Sequence, residues 1–204
     1  TRIEVIPNAF PLEFLSDSSL GVMTQGSFNF VSWRGSNSHA NNLRGYAKEI
    51  TEVAKSSNWL FKFFGLNPWF FDGEFNFNHY GFEHLFDSFY RLKKFSSKVH
   101  IVTLSESPFN LSKSNIAWME STIAGSVVLA PDWEEWQKPG IVNYSSKEDF
   151  KIKLQALLNG EYDLAKHFEE SRDYILNNLS LKKVNRERIK ILQRLSVGKS
   201  DYSA

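Results

Sequence analysis

The stretch FNLSKSNIAWMESTIAGSVVLAP, residues 109–131, sets a polar segment carrying one lysine and one glutamate directly before the most apolar run of the chain. The spacing predicts a helix over residues 112–124, ended by Gly125. Ser126 to Pro131 then reads as a strand, because a short β-branched run bounded by glycine and proline suits a position buried on both sheet faces. A helix followed at once by a two-sided buried strand is the repeating unit of a parallel sheet, so this stretch points to an α/β fold.

The flanking sequence repeats the pattern. FNFVSW (28–33), WLFKFFG (59–65), KVHIVTL (98–104) and GIVNY (140–144) read as further strands. Between the first two, Leu43, Tyr46, Ala47, Ile50, Val53 and Ala54 recur at helical spacing, with Ser38 or Asn41 placed to cap the helix. LNPWFFDGEFNFNHYG (66–81) reads as a long aromatic loop. Phe82, Leu85, Phe86, Phe89 and Leu92 predict another amphipathic helix. After GIVNY, Ser145 and Ser146 introduce a helix carrying Phe150, Leu154, Leu157 and Leu158. Two more helices follow, one over residues 162–178 and one bearing Arg188, Ile191, Leu192 and Leu195. The expected architecture is a doubly wound parallel sheet flanked by helices, Rossmann-like, over residues 27–197. Residues 1–26 are expected to form a hinge or linker and 198–204 a flexible tail.

Composition narrows the chemistry. With 24 basic and 23 acidic residues interspersed, the formal charge is +1, so no whole-protein field favours nucleic acid or an anionic membrane. The chain has no cysteine, which removes disulfides, thiolate nucleophiles and cysteine-ligated zinc and fits a reducing, cytoplasmic setting. No apolar run reaches the roughly 20 residues a spanning helix needs. The five histidines lack metal-ligand spacing, and Ser126 sits in AGSVV, outside a nucleophile elbow.

In doubly wound sheets ligands bind beyond the carboxyl ends of the strands, where helix N-termini point free N–H groups. Two loops occupy such positions. RGSNSH holds Arg34, Gly35 and His39, in which glycine allows close backbone approach and a cation can face phosphate oxygens. The second loop leads to Lys113, Ser114 and Asn115 at the expected helix start. A lysine there runs against the helix dipole unless an anion binds beside it. Glu120 lies about 10 Å further along the helix, a separation that suits a ligand with phosphates at one end and a hydroxyl-bearing ring at the other. Asp132, Glu134 and Glu135 in DWEEW read as a solvated helix start.

The motifs together resemble retaining GT-B glycosyltransferases of the group 1 type. RIEVIPNAFPLEF resembles their interdomain hinge, and FVSWRGSNSHANNL the first strand and loop of their C-terminal domain. FNLSKSNIAWMESTIAGSVVLAP is similar to their donor-binding helix, and GIVNYSSKEDFKIKLQALL to their closing segment. The resemblance runs from about Arg2 to Leu195. It implies a nucleotide-sugar donor-binding domain in which Glu120 holds the ribose, while Arg34, Gly35, His39, Lys113, Ser114 and Asn115 surround the diphosphate. It also implies a hexosyltransferase-like enzyme that uses protein cations and helix dipoles in place of a divalent metal, with no cofactor beyond the donor. The acceptor is left open, and an N-terminal acceptor domain is expected outside this chain. Two departures stand out: the first glutamate of the family pattern falls on Ser112, with Glu106 out of register, and His39 stands where many relatives have lysine. The catalytic residues are therefore left open. The rival expectation is a non-catalytic module whose aromatic loop, Trp69 to Tyr80, docks a protein or glycan; a small α/β enzyme of another class, such as a phosphatase or flavin-binding protein, is the third.

Overall fold

The computed structural model describes residues 4–11, 22–23, 29–82 and 97–197. Six strands form one parallel sheet: β1 (Phe30–Gly35), β2 (Leu60–Gly65), β3 (Phe77–Tyr80), β4 (Val99–Ile101), β5 (Val127–Pro131) and β6 (Val142–Tyr144). Their spatial order is β3-β2-β1-β4-β5-β6. Every neighbouring pair is parallel, with Ser32 opposite His100 where β1 meets β4. This is the doubly wound order the sequence predicts, and the order in which strands are added reverses between β1 and β4.

Seven helices are present among the described residues: α1 (Ala40–Arg44), α2 (Ala47–Ser56), α3 (Pro108–Leu111), α4 (Ile116–Ile123), α5 (Lys147–Leu158), α6 (Leu164–Asn178) and α7 (Leu181–Val197). Side chains alternate across each strand, so the sheet feeds two cores. On one face Val31, Phe61, Val99, Val127 and Leu129 pack with Ile50 and Val53 of α2 and Phe150, Leu154 and Leu157 of α5. On the other, Val128 and Ala130 pack with Trp118, Met119 and Ile123 of α4 and Ile175 of α6. β5 is buried along its whole length, as its uninterrupted apolar sequence requires.

Four local readings change. The helix expected after β1 is two helices broken at Gly45 and Tyr46, where Gly45 and Tyr46 N–H groups turn back to Asn41 and Leu43. Neither Ser38 nor Asn41 caps the pair: His39 is the cap residue of α1 and contributes no side-chain bond. The helix expected over residues 112–124 is also divided. Ser107 accepts the Asn110 N–H and Pro108 opens α3, which ends at Ser112, so α4 starts only at Ile116. The aromatic loop contains β3, an edge strand, preceded by a 3₁₀ turn at Trp69–Phe71. The helix expected at residues 82–92 and the tail at 198–204 lie, apart from Phe82, outside the described residues.

Within the expected hinge, Phe10 is buried and forms an isolated parallel bridge with Ser180, exchanging backbone bonds with Leu179 and Leu181 at the α6–α7 junction. The β5–β6 connection is fastened to α6 in a similar way. Ser171 donates to the Pro139 carbonyl at 2.8 Å and accepts the Trp118 indole N–H at 3.0 Å. Between them Gly140 adopts φ +78°, and a Cβ there would press on the His167 carbonyl and lie 2.6 Å from Ser171 N. Gly140→Ala is expected to lower unfolding free energy by about 3 kcal/mol through combined backbone strain and overpacking. Urea titration checks this, and a loss below about 1 kcal/mol would show that the junction relaxes.

Candidate functional site

The site forms where the chain leaves β4. Beyond Ile101 the segment Val102–Ser105 remains extended and mostly buried but belongs to no strand, so its peptide groups need other partners. Val102 N–H reaches the Leu129 carbonyl at 2.9 Å. The Tyr144 hydroxyl donates to the Val102 carbonyl at 2.9 Å and accepts the Leu104 N–H at 3.4 Å. Tyr46 donates to the Leu104 carbonyl at 3.1 Å, and the Trp33 indole donates to Thr103 Oγ1 at 2.9 Å. Burial raises the Tyr46 hydroxyl above its ordinary value and the Tyr144 hydroxyl well above it, which keeps both as donors.

A reciprocal amide pair locks the two loops together. Asn110 Nδ2 donates to Asn42 Oδ1 at 2.8 Å and to the Ser105 carbonyl at 2.7 Å, Asn42 Nδ2 returns a 3.2 Å bond to Asn110 Oδ1, and Ser105 N–H adds a 3.3 Å bond to Asn42 Oδ1. Both asparagines are buried. Thus α1 and α3, 68 residues apart in sequence, hold a constant separation around the crevice.

That crevice is a cavity of about 310 Å³, lined by Arg34, Gly35 and His39 from the first loop, Val102, Thr103 and Leu104 from the extended segment, and Lys113, Ser114, Ile116 and Ala117 at the start of α4. Its size lies at the lower end of small-molecule sites. Gly35 is required here, since a Cβ would collide with the Trp33 ring at 2.6 Å from Cζ2. Of the seven residues the sequence singles out, Arg34, Gly35, His39, Lys113 and Ser114 line this one cavity. Glu120 lies one turn beyond Ile116 on α4 and forms an ion pair with Arg34. Asn115 points elsewhere: its N–H donates to Glu135 Oε1 at 3.1 Å and its side chain to the Glu135 carbonyl at 3.3 Å.

The electrostatics follow from these contacts. Lys113 Nζ lies 3.1 and 3.2 Å from the two His39 ring nitrogens and 4.7 Å from the centre of the Phe109 ring. Burial, then Lys113, then Arg34 lower the His39 pKa, so its ring is neutral at pH 7 and accepts from the lysine. Burial also lowers Lys113. At the cavity floor His100 is 1% exposed, and burial with a smaller contribution from Arg34 holds it down to about 3. Its Nδ1 meets Ser32 Oγ at 2.8 Å, the first link of a buried chain running on to Ser97 and Ser126.

Several participants escaped sequence reading. Glu135, expected in a solvated helix start, sits in a 3₁₀ turn and supplies the anionic partner at the amino end of α4. Trp136 beside it forms part of the cavity wall. Neither has a local signature, because each meets the start of α4 from about 20 positions further along the chain. Ser112 is bonded to the Phe109 carbonyl at 2.8 Å, and Glu106 is exposed. Among the described residues no three His, Asp or Glu side chains group as metal ligands.

His100 makes stability depend on pH. The unfolded chain protonates this histidine near its ordinary value of 6.5, whereas the folded chain keeps it neutral down to about 3. In that window the unfolded state binds more protons, so stability falls as pH is lowered. Between pH 6.5 and 5 the loss from this group is expected to be about 2 kcal/mol. His100→Asn, which can keep the bond to Ser32 without titrating, is expected to flatten the dependence in urea titrations at the two pH values. Equal slopes in both proteins would contradict the assignment.

No protein-family model matches the sequence, and no curated protein matches it. Solved structures do. The lipopolysaccharide outer core galactosyltransferase WaaB superposes with TM-score 0.61 at 14% identity, over 92% of this chain and 56% of WaaB. A point mutant of S. aureus TarM, solved with fondaparinux, alpha-GlcNAc-glycerol and UDP, gives TM-score 0.60 at 13% identity, over 93% of this chain and 37% of TarM. The C-terminal domain of the group 1 glycosyl transferase LpcC from Francisella tularensis gives TM-score 0.52 at 13% identity, over 86% and 96% of the two chains. The chain therefore spans between about a third and just over half of the length of TarM and WaaB. At these identities the likeness shows the fold: a Rossmann-like α/β domain matching the C-terminal domains of GT-B glycosyltransferases.

Proposed function

We propose that this chain is the donor-binding domain of a glycosyltransferase, taking a nucleoside-diphosphate sugar and passing the sugar to an acceptor bound largely by another domain. The observation that carries the reading is the convergence of Arg34, His39 and Lys113 on one cavity at the β1/β4 switch point, with Glu120 ion-paired to Arg34. Cations on one side suit a diphosphate, and a carboxylate beyond them suits a pair of ribose hydroxyls. The UDP in the TarM complex supports a nucleotide ligand for this fold. In sugar transfer the bond from the anomeric carbon to the diphosphate oxygen breaks and negative charge collects on the diphosphate. Arg34 and Lys113 would stabilise that charge where it develops. The motif resemblance extends the proposal to retaining, metal-independent transfer by a group 1 enzyme, and the absence of cysteine suits a cytoplasmic setting for it.

The rival reading, a docking module built on the aromatic loop, keeps Trp69 as an exposed ring, while Phe70, Phe75 and Phe77 are half-buried against the core. Phe71 is fully buried and packs against Phe63, Phe75 and Phe77. Trp69 is 59% exposed, and the Arg44 guanidinium lies 4.9 Å from its ring centre. Four phenylalanines of this segment thus pack on the core beside the sheet edge, and Trp69 does not.

Calorimetric titration with UDP, GDP, ADP and CDP, with and without magnesium, tests the proposal. One diphosphate is expected to bind saturably without metal, and Lys113→Ala to weaken it roughly 10-fold, the worth of one charge-assisted hydrogen bond. Undiminished affinity in Lys113→Ala would remove the phosphate assignment. The cavity also predicts a pH effect. A bound dianion offsets the burial and the cations that lower the His39 pKa, so affinity should rise as pH falls from 8 to 6. His39→Asn should lose that part of the rise which exceeds the titration of the ligand itself, and an identical profile in the variant would exclude His39 from the site.

A further inference from the structure

The Arg34 guanidinium and the Glu120 carboxylate, assigned to opposite ends of one ligand, are bonded to each other, with side chains 26% and 19% exposed. The pair joins β1 to α4 across 86 residues of sequence, and its arginine lines the cavity. Lys113 is engaged differently, by the neutral His39 ring and the face of Phe109. The two cations of the site are thus unequal: Lys113 meets only neutral groups in these contacts, whereas Arg34 is held by a tethered anion.

We propose that Glu120 determines specificity by occupying Arg34, so that Arg34 is released in full only to a ligand that also offers a hydroxyl pair to the carboxylate. A bare phosphate or pyrophosphate must compete with Glu120 for the guanidinium and then sit beside an uncompensated carboxylate, a partly desolvated like-charge contact. A nucleoside diphosphate meets both groups at once. Its phosphate replaces the carboxylate on Arg34, and its ribose hydroxyls donate to the freed carboxylate oxygens. The site would thereby reject the inorganic anions that share the charge of its ligand but lack the sugar ring. This inference rests on the donor-site reading and adds a selection rule to it.

The test is a double-mutant cycle read with inorganic pyrophosphate, on the wild type, Glu120→Gln, Arg34→Gln and the double variant, each checked for cooperative thermal unfolding. Glu120→Gln is expected to bind pyrophosphate about 5-fold more tightly than the wild type, as expected for freeing a partly exposed ion pair. Arg34→Gln should cost the wild type little pyrophosphate affinity and the Glu120→Gln protein clearly more. The same Glu120→Gln change should weaken the preferred nucleoside diphosphate, reversing the preference between the two ligands. Unchanged or weaker pyrophosphate binding in Glu120→Gln overturns the proposal. So does an equal gain in the Arg34→Gln background, which would mean that Glu120 acts only through its general field. Should Glu120→Gln unfold, the cost of Arg34→Gln alone decides the matter: a large loss of pyrophosphate affinity would show that Arg34 was never withheld. The donor-site reading fails separately, if no nucleoside diphosphate displaces pyrophosphate from the wild type. That result overturns the hydroxyl half of the proposal, while the pyrophosphate cycle still decides the Arg34 half.

Discussion

Buried peptide groups must be hydrogen-bonded, and Val102, Leu104 and Ser105 meet that demand with the side chains of Tyr144, Tyr46, Asn42 and Asn110 and with the Leu129 carbonyl. A longer β4 would have satisfied the same groups in a ladder with β1, and the strands would then have closed the space between them. β4 stops at Ile101, and the residues just beyond it line the crevice. Tyr46, Tyr144, Asn42 and Asn110 therefore do two things at once: they satisfy an otherwise orphaned backbone and they hold open the cavity that a ligand would enter. Leaving a buried amide without a partner costs about 1–3 kcal/mol, so this layer is both a stability element and the ruler that sets the distance between the two loops.

The charges of the site are distributed by the same geometry. Burial pushes His100 and His39 towards neutrality, which leaves Arg34 and Lys113 as the cations facing the cavity. Anionic partners are already supplied from within: Glu120 to Arg34, and Glu135 to the amino end of α4. A helix start that reads as a free anion-binding terminus is thus partly satisfied by the protein's own carboxylate. Whatever anion binds must be recognised mainly by side chains and by the remaining backbone donors of the two loops, with the helix dipole contributing a share already divided with Glu135.

The sequence makes much of this visible, unevenly. Arg34, Gly35, His39, Lys113 and Ser114 were singled out because they follow strands in a doubly wound pattern, and that rule is local enough to read from spacing. The division of the helix at residues 112–115 was missed. Its signals, a serine cap and a proline at Ser107 and Pro108, are weak beside the apolar periodicity of Ile116 to Ile123. β3 was missed because FNHY lacks clean alternation, as an edge strand with exposed central residues can. Glu135, Trp136 and His100 carry no local mark at all. Their importance arises from what folding places beside them.

The fold class and the two loops that border the crevice are therefore written in the chain's own periodicity: β-branched runs that must be buried on two faces, helical stripes that must cover them, and glycine and proline at their ends. Those constraints act over a few residues, and local sequence expresses them directly. The pairing of Arg34 with Glu120, the neutral state of the two histidines and the capture of Asn115 by Glu135 arise from contacts between residues 20 to 86 positions apart. Such contacts exist only once the parallel sheet has brought the strand ends together. Their energies depend on burial and distance, which no stretch of sequence contains.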